Sequence, residues 1–253
     1  MSTTTKRILG WLATPPFLAA FSLLLVLFDP VQRLALLFGP RTHEIAVGLL
    51  QSCLTAALRL CGTRFEVERD ALVRSHTPYI LVANHQSMFD IPILASVLFS
   101  NYLKYVAKRE LARGIPSISF NLRHGGNALI DRGDRAQAIA AIAALGGRAE
   151  ARGVSVVIYP EGTRARAGEM GPFKPAGTLA LLAAAPTLAV VPVAIDGSWE
   201  LLRYRLAPVP FGTGVRVRIG APIARREDED REALLAGVEA EIRKTMGRWR
   251  TTS

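Results

Sequence analysis

Residues 8–28, ILGWLATPPFLAAFSLLLVLF, run for 21 positions without a charge. As one straight helix they would measure about 31 Å, enough to cross the hydrocarbon core of a bilayer. Pro15 and Pro16 predict a kink or a shallow, broken insertion. A signal peptide is the competing reading, but the run is long for one, and Phe28-Asp29-Pro30 offers no small-residue cleavage site. We read a retained membrane segment. Residues 31–61 form a second apolar stretch, interrupted by Arg33, Gly39-Pro40-Arg41, Glu44 and Arg59. Its cleanest part, Ile45 to Leu58, suits a helix buried in one leaflet or packed on the first.

From Thr63 the pattern changes. Arg64 to Glu68 alternates polar and apolar, as a half-buried strand does. Short apolar runs at Tyr79–Ala83, Leu103–Ala107, Asn127–Ile130, Val154–Tyr159, Leu188–Ile195 and Val215–Ile219 predict further strands. Helical patterns lie between them at Asp90–Phe99, Asp134–Arg152 and Lys174–Ala185. A last one, about 227–249, opens on Glu227-Asp228-Glu229-Asp230 and closes on Arg243, Lys244 and Arg248, so both ends complement the helix dipole. Its stripe of Leu234, Leu235, Val238, Ile242, Met246 and Trp249 is expected to face a core. The expected fold class is α/β: a mixed sheet flanked by helices over residues 63–253, with an N-terminal membrane-associated helix pair over residues 1–62.

Composition narrows the partners. Hydrophobic residues make up 50% of the 253, the net charge is +10, and the mean hydropathy is +0.24 with a pI near 10.3. Such a surplus of positive charge favours anionic partners. With 7% aromatics and no nucleic-acid motif, the apolar composition points to membrane and not to nucleic acid. Lys6, Arg7, Arg33 and Arg41 place positive charge on both sides of the first segment, compatible with a monotopic hairpin entering from the cytoplasm. Cys53 and Cys61, eight apart in one helical stretch, imply no disulfide framework, which fits a reducing compartment.

Three polar blocks stand at the ends of predicted strands. Asn84-His85-Gln86-Ser87-Met88-Phe89-Asp90 follows the run Tyr79–Ala83. An imidazole steered by a carboxylate can take a proton from a hydroxyl at neutral pH. Positions five apart diverge by about 140° on one helix, so His85 and Asp90 can meet only if the chain turns between them. Pro92 places that turn: a helix starting at Asp90 puts the proline in its first turn and leaves His85 in the loop. An ordinary strand exit and helix cap accounts for the spacing equally well. Tyr159-Pro160-Glu161-Gly162-Thr163-Arg164 leads into a glycine-bearing loop, where a guanidinium could grip phosphate with two parallel hydrogen bonds. Gly126-Asn127-Ala128-Leu129-Ile130-Asp131-Arg132 ends another apolar run with an acid–base pair. Each of these two alone reads as a surface turn. Together the three suggest one polar site at a sheet edge.

The order of NHQSMFD, GNALIDR, YPEGTR and VVPVAI (Val190–Ile195) resembles the glycerolipid acyltransferases of the lysophosphatidic acid acyltransferase type over most of residues 79–195. The resemblance implies acyl transfer from an acyl-CoA or acyl-carrier-protein thioester, as co-substrate, to the free hydroxyl of a lysophospholipid. The acceptor implied is 1-acyl-sn-glycerol-3-phosphate, giving phosphatidic acid, with no metal or other cofactor. His85 matches the general base and Asp90 the acid that orients it. Glu161, Gly162, Thr163 and Arg164 match the block assigned to acceptor binding, with Arg164 the first choice for its phosphate. Arg132, and more weakly Lys108 and Lys174, could add positive charge, though both lysines also fit as ordinary surface residues. The implied location is the inner, cytoplasmic membrane with the site facing the cytoplasm.

Departures from the family pattern bear on the acceptor. Tyr159 and Leu129 stand where Phe is usual or frequent, Ala165 replaces a common Ser, and Pro175 replaces a second basic residue. A lyso-ornithine lipid or another lyso-lipid therefore stays open as acceptor. A lipid or thioester hydrolase is the alternative activity, but no G-x-S-x-G elbow or H-E-x-x-H motif occurs.

Overall fold

The computed structural model describes residues 2–165 and 167–251. The first helix, α1, runs from Thr3 to Leu37, longer at both ends than the uncharged run, and the Ser2 hydroxyl accepts from the Thr5 amide at its N-terminus. Pro15, Pro16 and Pro30 all lie inside it. Each proline removes one backbone donor without ending the helix, so the expected break is absent and residues 31–37 belong to α1. Gly39, at φ 108°, makes the turn, and Pro40 opens α2 (Pro40–Ala57) at a position where its missing N–H is no loss.

α1 is fastened to the rest of the chain at two levels. The Thr14 hydroxyl accepts from the Val209 amide at 2.8 Å, and Phe17 packs into the core beside Phe89. Farther along, Asp29 Oδ1 accepts from the Ser117 amide at 2.7 Å, and the Ser117 hydroxyl donates to the Leu25 carbonyl. These ties lay α1 along the α/β body. Its other face presents Leu12, Leu23, Leu27, Leu34 and Leu37 to the outside. α1 and the helical stretch Pro40–Cys61 that α2 opens are each long and apolar enough to cross a membrane by length and composition.

Among the described residues seven strands form one sheet: β1 (Arg64–Arg69), β2 (Ile80–Ala83), β3 (Lys104–Lys108), β4 (Ala128–Ile130), β5 (Val156–Ile158), β6 (Val190–Asp196) and β7 (Gly214–Ile219). Their order is β1-β7-β6-β2-β5-β3-β4, with β6–β7 antiparallel and the other neighbours parallel, so the sheet is mixed as expected. β2, β5 and β6 are apolar throughout their buried lengths because both faces are covered. Leu81, Ala83, Val157, Val191 and Val193 face one core, shared with Phe17 and Phe89. Ile80, Val82, Val156 and Ile158 face the other, shared with α5 (Arg135–Arg152), α6 (Pro175–Ala184) and α7 (Arg231–Thr251). α3 (Asp90–Val97) starts where Pro92 placed it.

Two differences from the pattern have local causes. α4 (Ile118–His124), only seven residues long, has too few turns for a periodicity to show. α7 begins at Arg231, after the acidic run, because Asp230 acts as its cap: Oδ1 accepts from the Glu232 and Ala233 amides. At the sheet edge away from His85, buried Glu44 of α2 pairs at 2.8 Å with both Lys104 of β3 and Arg152 of α5. Burial holds the Lys104 ammonium below its ordinary value, opposed by Glu44. The helix pair is thus bolted to the sheet by charge as well as by apolar packing.

Candidate active site

β2, β5, β3, β4 and β6 are parallel along this part of the sheet, so their C-terminal ends share one edge. The chain leaves that edge at Ala83, and each residue of the next block has a distinct task. The Asn84 side chain donates to the Ile195 carbonyl and accepts from the Ile195 amide, both at 2.8 Å, extending the β2–β6 pairing one step beyond the strand. His85 follows, partly exposed, in the loop beyond the strand. Phe89 closes the loop by anchoring in the core.

The turn that brings His85 and Asp90 together is built by Asp90. Its Oδ2 accepts from the Gln86 amide at 2.7 Å and the Ser87 amide at 2.8 Å, folding the loop back over the helix start. The same oxygen meets His85 Nδ1 at 2.8 Å. Oδ1 accepts from the Ser198 hydroxyl at 2.5 Å. Asp90 is fully buried and takes four hydrogen bonds, so its carboxylate is compensated in place. With Nδ1 facing a carboxylate, the ring proton sits there and Nε2 carries the free lone pair. That is the arrangement of a general base. Ser198 reaches Asp90 because Gly197 (φ 84°) turns tightly: a Cβ there would lie 2.1 Å from the Gly214 carbonyl oxygen.

The second block lies beside the first. Val82 of β2 pairs with Ile158 of β5, so Tyr159 emerges next to the His85 loop. Its ring stacks on the imidazole, centroids 4.1 Å apart at 20°. Glu161 is buried beneath the site: Oε1 accepts from the His85 amide and Oε2 from the Gly171 amide, both at 2.7 Å. Burial raises the Glu161 carboxyl above its ordinary value, while those two amides pull the other way. Gly162 (φ 70°), Thr163 and Arg164 are exposed, and Ala165 donates its amide to the His85 carbonyl at 2.6 Å. The Lys174 ammonium lies over Gly162, 3.5 Å from where a Cβ would stand.

The remaining candidates stand farther along the edge. Lys108 ends β3, two strands from His85 and so about 10 Å away laterally, near Glu110 at 3.9 Å. Arg132 follows β4, one strand beyond, on an exposed turn. The structure thus brings together His85, Asp90, Glu161, the exposed Gly162–Arg164 loop and Lys174, with Lys108 and Arg132 at the margin. Ser198 was not legible in the motifs. A serine after Asp196-Gly197 carries no distinctive spacing, and only the β2–β6 pairing places it under Asp90.

Glu161→Gln tests the buried brace. A glutamine oxygen can serve one of the two amides, leaving the other facing an NH2 group, at a cost of about 1–3 kcal/mol. Urea unfolding at neutral pH checks this. Because the folded-state carboxyl is raised, the fold favours protonated Glu161. The glutamine does not titrate, so the fall in wild-type stability expected as pH rises from the unfolded carboxyl's value through the folded one is expected to be missing from the variant.

The "Acyltransferase" family model matches residues 64–196. A 1-acyl-sn-glycerol-3-phosphate acyltransferase beta of Homo sapiens is 37% identical over 131 residues, 51% of this chain and 46% of its own. The 1-acyl-sn-glycerol-3-phosphate acyltransferase of Salmonella typhimurium is 30% identical over 180 residues, 70% of this chain and 69% of its own. The matched stretch is therefore just under half of the human relative and about two thirds of the bacterial one. The crystal structure of the 1-acyl-sn-glycerophosphate (LPA) acyltransferase from Thermotoga maritima superposes with a TM-score of 0.74 over 97% of this chain and 98% of that one, at 23% identity: the same fold.

Proposed function

The chain belongs to the acyltransferase family, and we propose that it transfers a fatty acyl group from an acyl-CoA or acyl-carrier-protein thioester to the free hydroxyl of a lysophospholipid, 1-acyl-sn-glycerol-3-phosphate, giving phosphatidic acid. The observation that carries the reading is the His85 Nδ1–Asp90 Oδ2 contact at 2.8 Å, with Asp90 saturated by three further donors. His85 Nε2 takes the proton of the acceptor hydroxyl as its oxygen attacks the thioester carbonyl. The carbon–sulfur bond breaks, and the departing thiolate receives the proton back from the imidazolium. No side chain is acylated. Asp90 keeps the ring in one tautomer and balances its transient positive charge.

Arg164 grips the acceptor phosphate with two parallel hydrogen bonds, and Lys174, whose ammonium lies over Gly162, adds a point charge beside it. Thr163 lies in the same exposed loop, while Glu161 acts from below by holding the His85 and Gly171 amides. Lys108 and Arg132 extend the positive edge towards the approaching headgroup. The apolar face of α1 lies in the cytoplasmic leaflet of the inner membrane, so that the amphiphilic acceptor reaches the site without leaving the lipid.

Purified protein given labelled acyl-CoA and a panel of lyso-lipids tests the substrate: the expected product by mass is phosphatidic acid. A product formed only with a lyso-ornithine lipid or another lyso-lipid overturns the acceptor assignment. Arg164→Ala is expected to raise KM for 1-acyl-sn-glycerol-3-phosphate about 10–100-fold, a loss of roughly 1.5–3 kcal/mol for a charge-assisted pair, with kcat much less affected. Steady-state kinetics in mixed micelles measure it.

A further inference from the structure

We propose that Tyr159 is a positioning residue for His85, its ring face holding the imidazole in place and stabilising the imidazolium formed when the base takes a proton. The inference rests on the reading of His85 as base. It concerns a residue outside the His–Asp pair and the exposed loop that grips the acceptor.

The contact is close and nearly parallel, with centroids 4.1 Å apart and planes 20° apart. Tyr159 is presented there by register: Val82 pairs with Ile158, so the next residue on each strand leaves the sheet side by side. Alternation along β5 puts Tyr159 with Val157 on the face of the core that holds Phe89 and Leu94, under the His85 loop. The Tyr159 hydroxyl is buried and has no hydrogen-bond partner among the described residues. A phenol so placed gains nothing from its hydroxyl. Its ring is the useful part.

An aromatic face attracts a cation through its quadrupole, more strongly where water is excluded. A neutral imidazole gains only packing from the same face. The stack is therefore stronger with the imidazolium formed in the reaction than with the neutral ring, and it acts on the same transient charge as Asp90. The groups facing His85 are Asp90 at the start of α3, Glu161 beneath its amide, and Tyr159 just after β5 with Tyr105 of β3 beyond it, while the Lys174 ammonium lies over Gly162 in the neighbouring loop. Burial keeps both tyrosines neutral, raised above their ordinary value, so neither contributes a competing anion.

The test replaces the ring and keeps everything else. Tyr159→Leu is expected to lower kcat about 2–30-fold and to move the acid limb of kcat/KM to lower pH by about 0.4–1.5 pH units, the range for a cation–π contact. NMR titration of the His85 ring is expected to show the same displacement without any turnover. Tyr159→Phe keeps the face, so its kinetics are expected to stay within about twofold of wild type and its Tm to rise with loss of the unpartnered hydroxyl. If the leucine variant does not fold, fluorinated phenylalanines at position 159, compared with phenylalanine itself, weaken the ring quadrupole at nearly constant shape. His85 basicity should then fall stepwise with fluorination. An unmoved His85 titration in the leucine variant or across the fluorinated series overturns the proposal, as does a phenylalanine variant as impaired as the leucine one. Because the titration is read on the free enzyme, these outcomes stand apart from His85→Ala turnover, which tests the base itself.

Discussion

Replacing His85 by alanine is expected to lower kcat for acyl transfer by about 10²–10⁴-fold, the usual share of a general base, with the fold and vesicle binding intact. The substitution is clean because only the ring is lost. The His85 amide still donates to Glu161 and its carbonyl still accepts from Ala165, so the loop keeps its shape. The apolar face of α1, which would meet the lipid, lies on a different element altogether. Turnover by the variant at the wild-type rate, with the same far-UV spectrum, would remove His85 from the chemistry.

Asp90→Asn is expected to cost a similar factor, about 10²–10⁴ in kcat, by a different route. An asparagine oxygen can occupy the corner where the Gln86 amide, the Ser87 amide and His85 Nδ1 converge. Its NH2 then faces Ser198, whose hydroxyl can rotate to accept. Geometry is kept and the counter-charge is gone, so the loss falls on the step that makes the imidazolium. Asp90→Ala differs: two buried amides and a buried hydroxyl lose their acceptor, at about 1–3 kcal/mol each, and the loop itself loosens. Kinetics and urea unfolding on both variants separate the two effects. Equal loss of stability in both would assign Asp90 a mainly structural role.

Much of this architecture was legible because single residues constrain it. Pro92 could sit only in a first helical turn, which put Asp90 at the start of α3 and His85 in the loop before it. The unbroken apolar runs of β2, β5 and β6 marked strands covered on both faces. The length of α1 was not legible, because Asp29-Pro30 reads as a stop. Asp29 is instead stabilised inside the helix by Arg33 and by the Ser117 amide, 88 residues away. Glu161 was implied as an acceptor ligand by the family match of its block, and a carboxylate there reads the same whether it points outward or beneath a neighbouring loop. Only the β2–β5 register shows it under His85. Ser198 was invisible for the same reason, its partner lying 108 positions earlier in the chain. Contacts across the sheet edge, set by strand order, were what the linear pattern withheld.

The central claim is direct transfer from thioester to lipid hydroxyl by a base, with no acylated side chain. A single-turnover quench with radiolabelled acyl-CoA and 1-acyl-sn-glycerol-3-phosphate addresses it most directly. Expected is phosphatidic acid appearing in step with free thiol, one for one, with no label on the protein and no thiol release when the acceptor is omitted. Label bound to the protein, or free fatty acid released without the acceptor, would contradict it.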